Sequence, residues 1–123
     1  MPGEAYERGM AMRRQVLGDD WVNAAMASGN EFSQPLQELV TEYAWGTIWS
    51  RPGLPLKIRS MLNLAMLTAL NRPQELRGHI RGAINNGCTR EEIQEVLLQA
   101  TVYCGAPAGV DAFRVANEAL KDL

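Results

Sequence analysis

The chain carries a single histidine, His79, and Glu75 lies four residues before it. On a helix that spacing puts both side chains on one face. A carboxylate there can accept an imidazole N–H, which favours the charged imidazolium and leaves the other ring nitrogen free to move a proton. The pair therefore reads as an acid/base unit. The same spacing also suits a plain helix-stabilising surface pair, worth a few tenths of a kcal/mol. Gly78 and Gly82 stand one turn from the pair. Each costs about 1 kcal/mol relative to alanine inside a helix. They imply close approach of a ligand or another backbone, or ordinary helix–helix packing.

Two arginines could hold an anion. Arg51 sits in a loop rich in proline and glycine, and Arg59 interrupts an otherwise apolar helical stretch, in phase with Asn63. A guanidinium on a helix that must be buried needs a partner. That partner is either a protein carboxylate or a substrate carboxylate held bidentately. Trp45 and Trp49, one turn apart, could wall an apolar pocket or simply fill the core or a subunit interface. One histidine with scattered carboxylates gives no metal-ligand cluster, so no metal is expected. Cys88 and Cys104 form no Cys-x-x-Cys pair and are expected as free thiols. There is no glycine-rich phosphate loop and no distinctive serine or cysteine triad.

The elements that must position these residues are all helical, since no stretch alternates at period two. A first helix is expected over about residues 5–17, ending at Gly18, and a second over about 20–28, capped by Asp19 or Asp20. A third starts at Ser33, tolerates Pro35 in its first turn, and shows an apolar stripe of Leu36, Leu39, Val40, Tyr43 and Ala44. It stops before the Arg51-Pro52-Gly53-Leu54-Pro55 loop. The fourth, over about 56–70, is apolar on every side, which demands a central position or a seal by another subunit. The fifth runs from Pro73 to Asn85. The sixth opens on a Thr89-Arg90-Glu91-Glu92 capping box flanked by Cys88 and Ile93, with a stripe of Ile93, Val96, Leu97, Ala100 and Cys104. After a break at Gly105 and Pro107, a last helix reaches about Leu120 on a stripe of Ala112, Phe113, Ala116, Ala119 and Leu120. The expectation is an all-α fold of six to seven helices.

With 123 residues the chain is expected to be one domain able to bury its own core. Charged residues make up 21% and the formal net charge is −2, which argues against nucleic acid as the main partner while leaving room for a local basic pocket. The N-terminus lacks a basic segment followed by an apolar run, and the longest apolar stretch, about 61–70, is too short for a bilayer. The cytosol is the expected compartment, with no membrane partner.

Three stretches resemble the carboxymuconolactone decarboxylase family. They are Ala44-Trp45-Gly46-Thr47-Ile48-Trp49-Ser50-Arg51-Pro52-Gly53-Leu54, Glu75-Leu76-Arg77-Gly78-His79 and Tyr103-Cys104-Gly105-Ala106-Pro107-Ala108. The segment Asn86-Gly87-Cys88-Thr89-Arg90-Glu91-Glu92-Ile93 and the Arg13-Arg14 region extend the likeness over nearly the whole chain. The resemblance implies an alkylhydroperoxidase D-like helical fold assembled as a homo-oligomer, a trimer or hexamer. Thiol peroxidases of the wider superfamily carry Cys-x-x-Cys ahead of the histidine. Arg72 and Glu75 occupy those positions here, so disulfide peroxidase chemistry is not expected.

The implied reaction converts 4-carboxymuconolactone, a small anionic lactone, to 3-oxoadipate enol-lactone and carbon dioxide. The lactone carbonyl, conjugated through the ring alkene, takes up the electrons, so no cofactor is needed. The protein must hold the anions, stabilise the new oxyanion and supply one proton to carbon. On this reading His79 is proton donor or oxyanion partner, Glu75 its orienter, Arg51 and Arg59 the anchors, and Trp45 and Trp49 the water-excluding wall. The alternatives are a related decarboxylase or isomerase for another lactone or keto acid, and a non-catalytic oligomeric module.

Overall fold

A computed structural model describes residues 3–123, and among them every regular element is helical. The chain forms two compact units, Met1–Leu54 and Pro55–Leu123.

In the first unit α1 (Glu4–Leu17) and α2 (Asp19–Ala27) meet at Gly18, whose φ of 90° closes one helix and opens the next. Gly18 takes the cap position expected of an aspartate. Asp19 and Asp20 lie inside the first turn instead, where negative charge suits the helix dipole. α3 (Gln34–Val40) starts after Ser33 as expected, but the serine hydroxyl turns back to its own loop. The Asn30 N–H donates to Ser33 Oγ at 3.0 Å and the Ser33 N–H to Asn30 Oδ1 at 3.1 Å.

From Thr41 to Trp49 the helix widens into a π-helix. The hydroxyls of Thr47 and Ser50 donate to the carbonyls five residues back, Glu42 at 3.3 Å and Trp45 at 2.8 Å. The longer repeat changes which residues face inward. Thr41, Trp45, Gly46 and Trp49 are buried, whereas Leu36, Leu39 and Tyr43 of the expected stripe are more than half exposed. α1 lies against this π-helix through two glycines. A methyl group on Gly9 would collide with the Thr41 carbonyl and come within 2.8 Å of the Gly46 nitrogen, and one on Gly46 would collide with the Ala5 carbonyl. Arg8 Nε donates to the Gly46 carbonyl at 2.9 Å across the same seam. The buried Arg13 reaches Gln37 Oε1 at 3.0 Å and Thr41 Oγ1 at 3.4 Å.

The second unit holds α4 (Leu56–Leu70), α5 (Pro73–Asn85), α6 (Arg90–Cys104) and α7 (Ala106–Lys121). The bounds of α4 and α5 fall where the prolines and apolar runs placed them. The capping box is formed: Thr89 Oγ1 accepts from the Glu92 N–H at 3.0 Å, and Glu92 Oε1 from the Thr89 N–H at 2.9 Å. Cys88 and Ile93 are both buried beside it. Leu64, Leu76, Ile80, Leu97, Ala112 and Ala116 belong to the unit's core. The small alanine stripe of α7 faces that core as expected, while Cys104 at the end of the α6 stripe is exposed.

Among the described residues α4 is not covered on every side, so of its two expected positions the fully central one does not hold. Its buried residues are Ser60, Leu64 and Thr68, and Ile58, Leu62, Met66 and Leu70 stand exposed along one edge. Polar residues share its inner face with Leu64. Thr68 satisfies its hydroxyl on the Leu64 carbonyl at 2.7 Å, and Ser60 accepts from Asn86 Nδ2 at 2.9 Å.

The glycine seam gives a direct test. Gly46→Ala gains about 1 kcal/mol in helix propensity. It sets a methyl against backbone that cannot rotate away. A net loss of about 2 kcal/mol is expected in urea unfolding. Unchanged stability would contradict the close packing of α1 on the π-helix.

Candidate active site around His79

The sequence pattern of α5 fixes where its one imidazole points. Leu76, Ile80 and Ala83 seat the helix on the core of the second unit, and His79 lies between them in phase, 7% exposed. Facing it is α4, whose Arg59 and Asn63 lie one turn apart on the same helical row. Asn63 Nδ2 lies 3.4 Å from His79 Nδ1. Arg59 is half-buried on that row. The structure thus joins Asn63 to His79, with an arginine one turn along.

Burial governs the charge of the ring. Loss of water lowers the His79 pKa from 6.5 to about 4. The imidazolium expected from a neighbouring carboxylate is therefore overturned: at pH 7 the ring is neutral. Glu75 stands on the exposed edge of α5, one turn ahead. Its exposure leaves its charge solvated, so it does not outweigh the desolvation of the ring.

The remaining candidates belong to the first unit. Trp45 and Trp49 are both buried and stack with ring centroids 4.9 Å apart at 22°. The π-helix aligns them, and the Ser50 hydroxyl holds the Trp45 carbonyl. Arg51 is exposed in the loop that follows. Gly78 and Gly82 of α5 are buried.

Asn63 is the site residue that residue-type reasoning left without a role. Its signal was present: a polar side chain in phase with Arg59 on a helix otherwise apolar. Among the described residues no three His, Cys, Asp or Glu side chains come together to hold a metal ion. Cys88 is a buried free thiol, pushed upward in pKa mainly by burial, and Cys104 is an exposed free thiol. Two open grooves, of about 600 Å³ between α6 and α7 and about 580 Å³ between α4 and α6, are lined by other residues than His79.

Comparison with known proteins converges on one family. The family described as carboxymuconolactone decarboxylase matches residues 34–118. A 4-carboxymuconolactone decarboxylase of Acinetobacter baylyi is 42% identical over 120 residues, 98% of this chain and 90% of that protein. A nitrosuccinic acid decarboxylase of Metarhizium robertsii is 44% identical over 118 residues, 96% of this chain and 82% of that one. A 4-carboxymuconolactone decarboxylase of Pseudomonas putida is 40% identical over 43 residues, 35% of this chain and 90% of that sequence. With its all-helical, alkylhydroperoxidase D-like fold, the chain belongs to the carboxymuconolactone decarboxylase family.

Proposed function

We propose that this protein is a carboxy-lyase that converts 4-carboxymuconolactone to 3-oxoadipate enol-lactone and carbon dioxide, without a cofactor. The chief support is the match, over nearly its whole length, to a 4-carboxymuconolactone decarboxylase. The chemistry suits a site with a neutral imidazole. As the ring carboxylate leaves, the electron pair of the broken C–C bond spreads through the alkene onto the lactone carbonyl oxygen. A proton then returns to the ring carbon beside that carbonyl. The developing oxyanion needs a hydrogen-bond donor already in place and poorly solvated.

His79 fits that role. With a pKa of about 4, only about one ring in a thousand is protonated at pH 7 in the free protein. The reading therefore prefers the oxyanion partner to the proton donor. The proton for the ring carbon then comes from solvent water, and Glu75, exposed one turn ahead, keeps the orienting role given to it from the sequence. Arg59 anchors a substrate carboxylate bidentately. Arg51 is the second anchor, and Trp45 and Trp49 exclude water, as the family resemblance gives them.

A second reading has a specific observation behind it, the 44% identity to a nitrosuccinic acid decarboxylase. The two substrates look unlike but share a skeleton. In both, the carbon that loses its carboxylate bears a CH₂–COO⁻ arm and adjoins an electron sink, a conjugated lactone in one and a nitro group in the other. Loss of carbon dioxide puts charge on oxygen in both cases. The two readings differ only in the sink.

We further propose that the protein works as a homo-oligomer, a trimer or hexamer, in the cytosol. The exposed row of Ile58, Leu62, Met66 and Leu70 supports a subunit seal. The two free thiols suit a reducing compartment. No helix among the described residues is long and apolar enough to cross a membrane.

Carbon dioxide release should be followed from freshly generated 4-carboxymuconolactone and, in parallel, from nitrosuccinate. Turnover of the lactone is expected, with His79→Ala lowering kcat by about a hundredfold or more. Arg59→Met is expected to raise KM. Release from nitrosuccinate alone would replace the first reading with the second, and release from neither would end both. For the oxyanion role, kcat/KM should stay level between about pH 5 and 8. A tenfold fall per pH unit across that range would mean that the rare imidazolium is the acid. Stability offers an independent check on the ring's burial. Because the folded pKa lies below the unfolded one, the unfolded chain binds the extra proton. The contribution of His79 is full above pH 6.5 and is lost as pH falls toward about 4. The loss amounts to about 3 kcal/mol at most, and urea unfolding of a His79→Gln variant should lack it. Leu62→Arg is expected to shift sedimentation toward monomer; an unchanged large species would remove α4 from the subunit seal.

A further inference from the structure

We propose that Asn63 is a positioning residue for His79: its side-chain amide donates to Nδ1 of the ring, 3.4 Å away, and so holds the ring proton on Nε2. For its catalytic consequence this rests on the decarboxylase reading above. For its geometry it rests on the contact alone.

A neutral imidazole has two tautomers, and the group that meets one nitrogen decides which nitrogen carries the proton. His79 is buried, so neither tautomer is held by bulk water. An amide N–H pointed at Nδ1 makes that nitrogen an acceptor and leaves Nε2 as the donor. The contact is set by the register of two helices. Asn86 Nδ2 donates to Ser60 Oγ at 2.9 Å and to the Leu56 carbonyl at 3.4 Å, pinning the end of α5 to the start of α4. One turn further along α4 comes Asn63, and two turns back along α5 comes His79. Leu64, Leu76, Ile80 and Ala83 fill the space beside the pair and lock that register. The other inward polar groups of α4 are engaged elsewhere, Thr68 on the Leu64 carbonyl and Ser60 on Asn86. Asparagine suits the task in a way aspartate does not. A carboxylate can only accept, so it would draw the proton to Nδ1 and leave Nε2 unable to donate to an oxyanion.

The single histidine makes the test clean, because ¹⁵N-histidine labelling yields one pair of ring nitrogens. In the intact protein at neutral pH, two-bond proton–nitrogen correlations are expected to place the proton on Nε2. Asn63→Asp, nearly isosteric, should move it to Nδ1. Asn63→Leu should leave a mixture. Both variants should lose about tenfold or more in kcat for the lactone with little change in KM. If Asn63→Leu does not fold, the aspartate variant carries the test. A proton on Nδ1 in the unaltered protein, or a tautomer and kcat that ignore both substitutions, would overturn the proposal. Failure of the unaltered protein to release carbon dioxide from the lactone would strike the decarboxylase reading, while the tautomer spectrum would still decide the role of Asn63.

Discussion

A single imidazole shut away from water constrains everything else at this site. Desolvation lowers its pKa to about 4, so the ring is neutral at pH 7. A neutral imidazole is a weak acid and a good hydrogen-bond donor. Such a group serves where charge develops on oxygen, and serves best when its donor nitrogen is fixed beforehand. The α4–α5 pairing supplies that fixation. Its register is pinned by Asn86 on Ser60 and by the leucine and isoleucine side chains around them, and it delivers Asn63 to Nδ1. Arg59, one turn from Asn63, brings permanent positive charge to the same row.

The first unit solves a different problem by different means. Two bulky indoles must be stacked and buried on a short segment that also carries a loop arginine. Normal α-helical winding would carry the stripe headed by Leu36 and Leu39 inward. The wider π-turns, secured by the Thr47 and Ser50 hydroxyls, instead bring Thr41, Trp45, Gly46 and Trp49 to the buried side. That geometry needs α1 to approach almost backbone to backbone, which only glycine at positions 9 and 46 permits. π-winding costs hydrogen-bond quality and often marks functional segments. Here it is the segment that holds Trp45 and Trp49, two of the residues to which the family resemblance gives substrate-facing roles.

Decarboxylation of this kind asks little covalent chemistry of a protein. The substrate holds its own electron sink, and the enzyme contributes charge placement, a dry environment and one proton. Relatives named for two different acids fit that division of labour, since the succinate-like part of each substrate is common and the sink varies. Anchoring the shared part and offering a donor to whichever oxygen takes the charge is a task one small helical scaffold can perform for both.

The helices were legible because their signals are local. Gly18, Pro73, the Thr89–Glu92 box and Gly105 act within a turn or two of themselves, and each sits at the boundary it marked. The site residues were legible as types: a single histidine, an arginine on an apolar helix, a tryptophan pair. What spacing could not give was environment. Glu75 and His79 share a helical face whatever surrounds them, but the packing of α5 buries one and leaves the other in water, and this decides the ring's charge. The widening of the helix after Val40 and the exposure of Leu62 and Met66 were hidden for a related reason. Both depend on what lies opposite rather than on spacing: glycine backbone packs against the widened helix, while Leu62 and Met66 are left about half exposed. The sequence by itself determined the helices, the family and the chemical groups on hand. Tertiary structure alone decided which of those groups lose their water and which nitrogen meets Asn63, because desolvation and hydrogen-bond partners are properties of residues far apart along the chain.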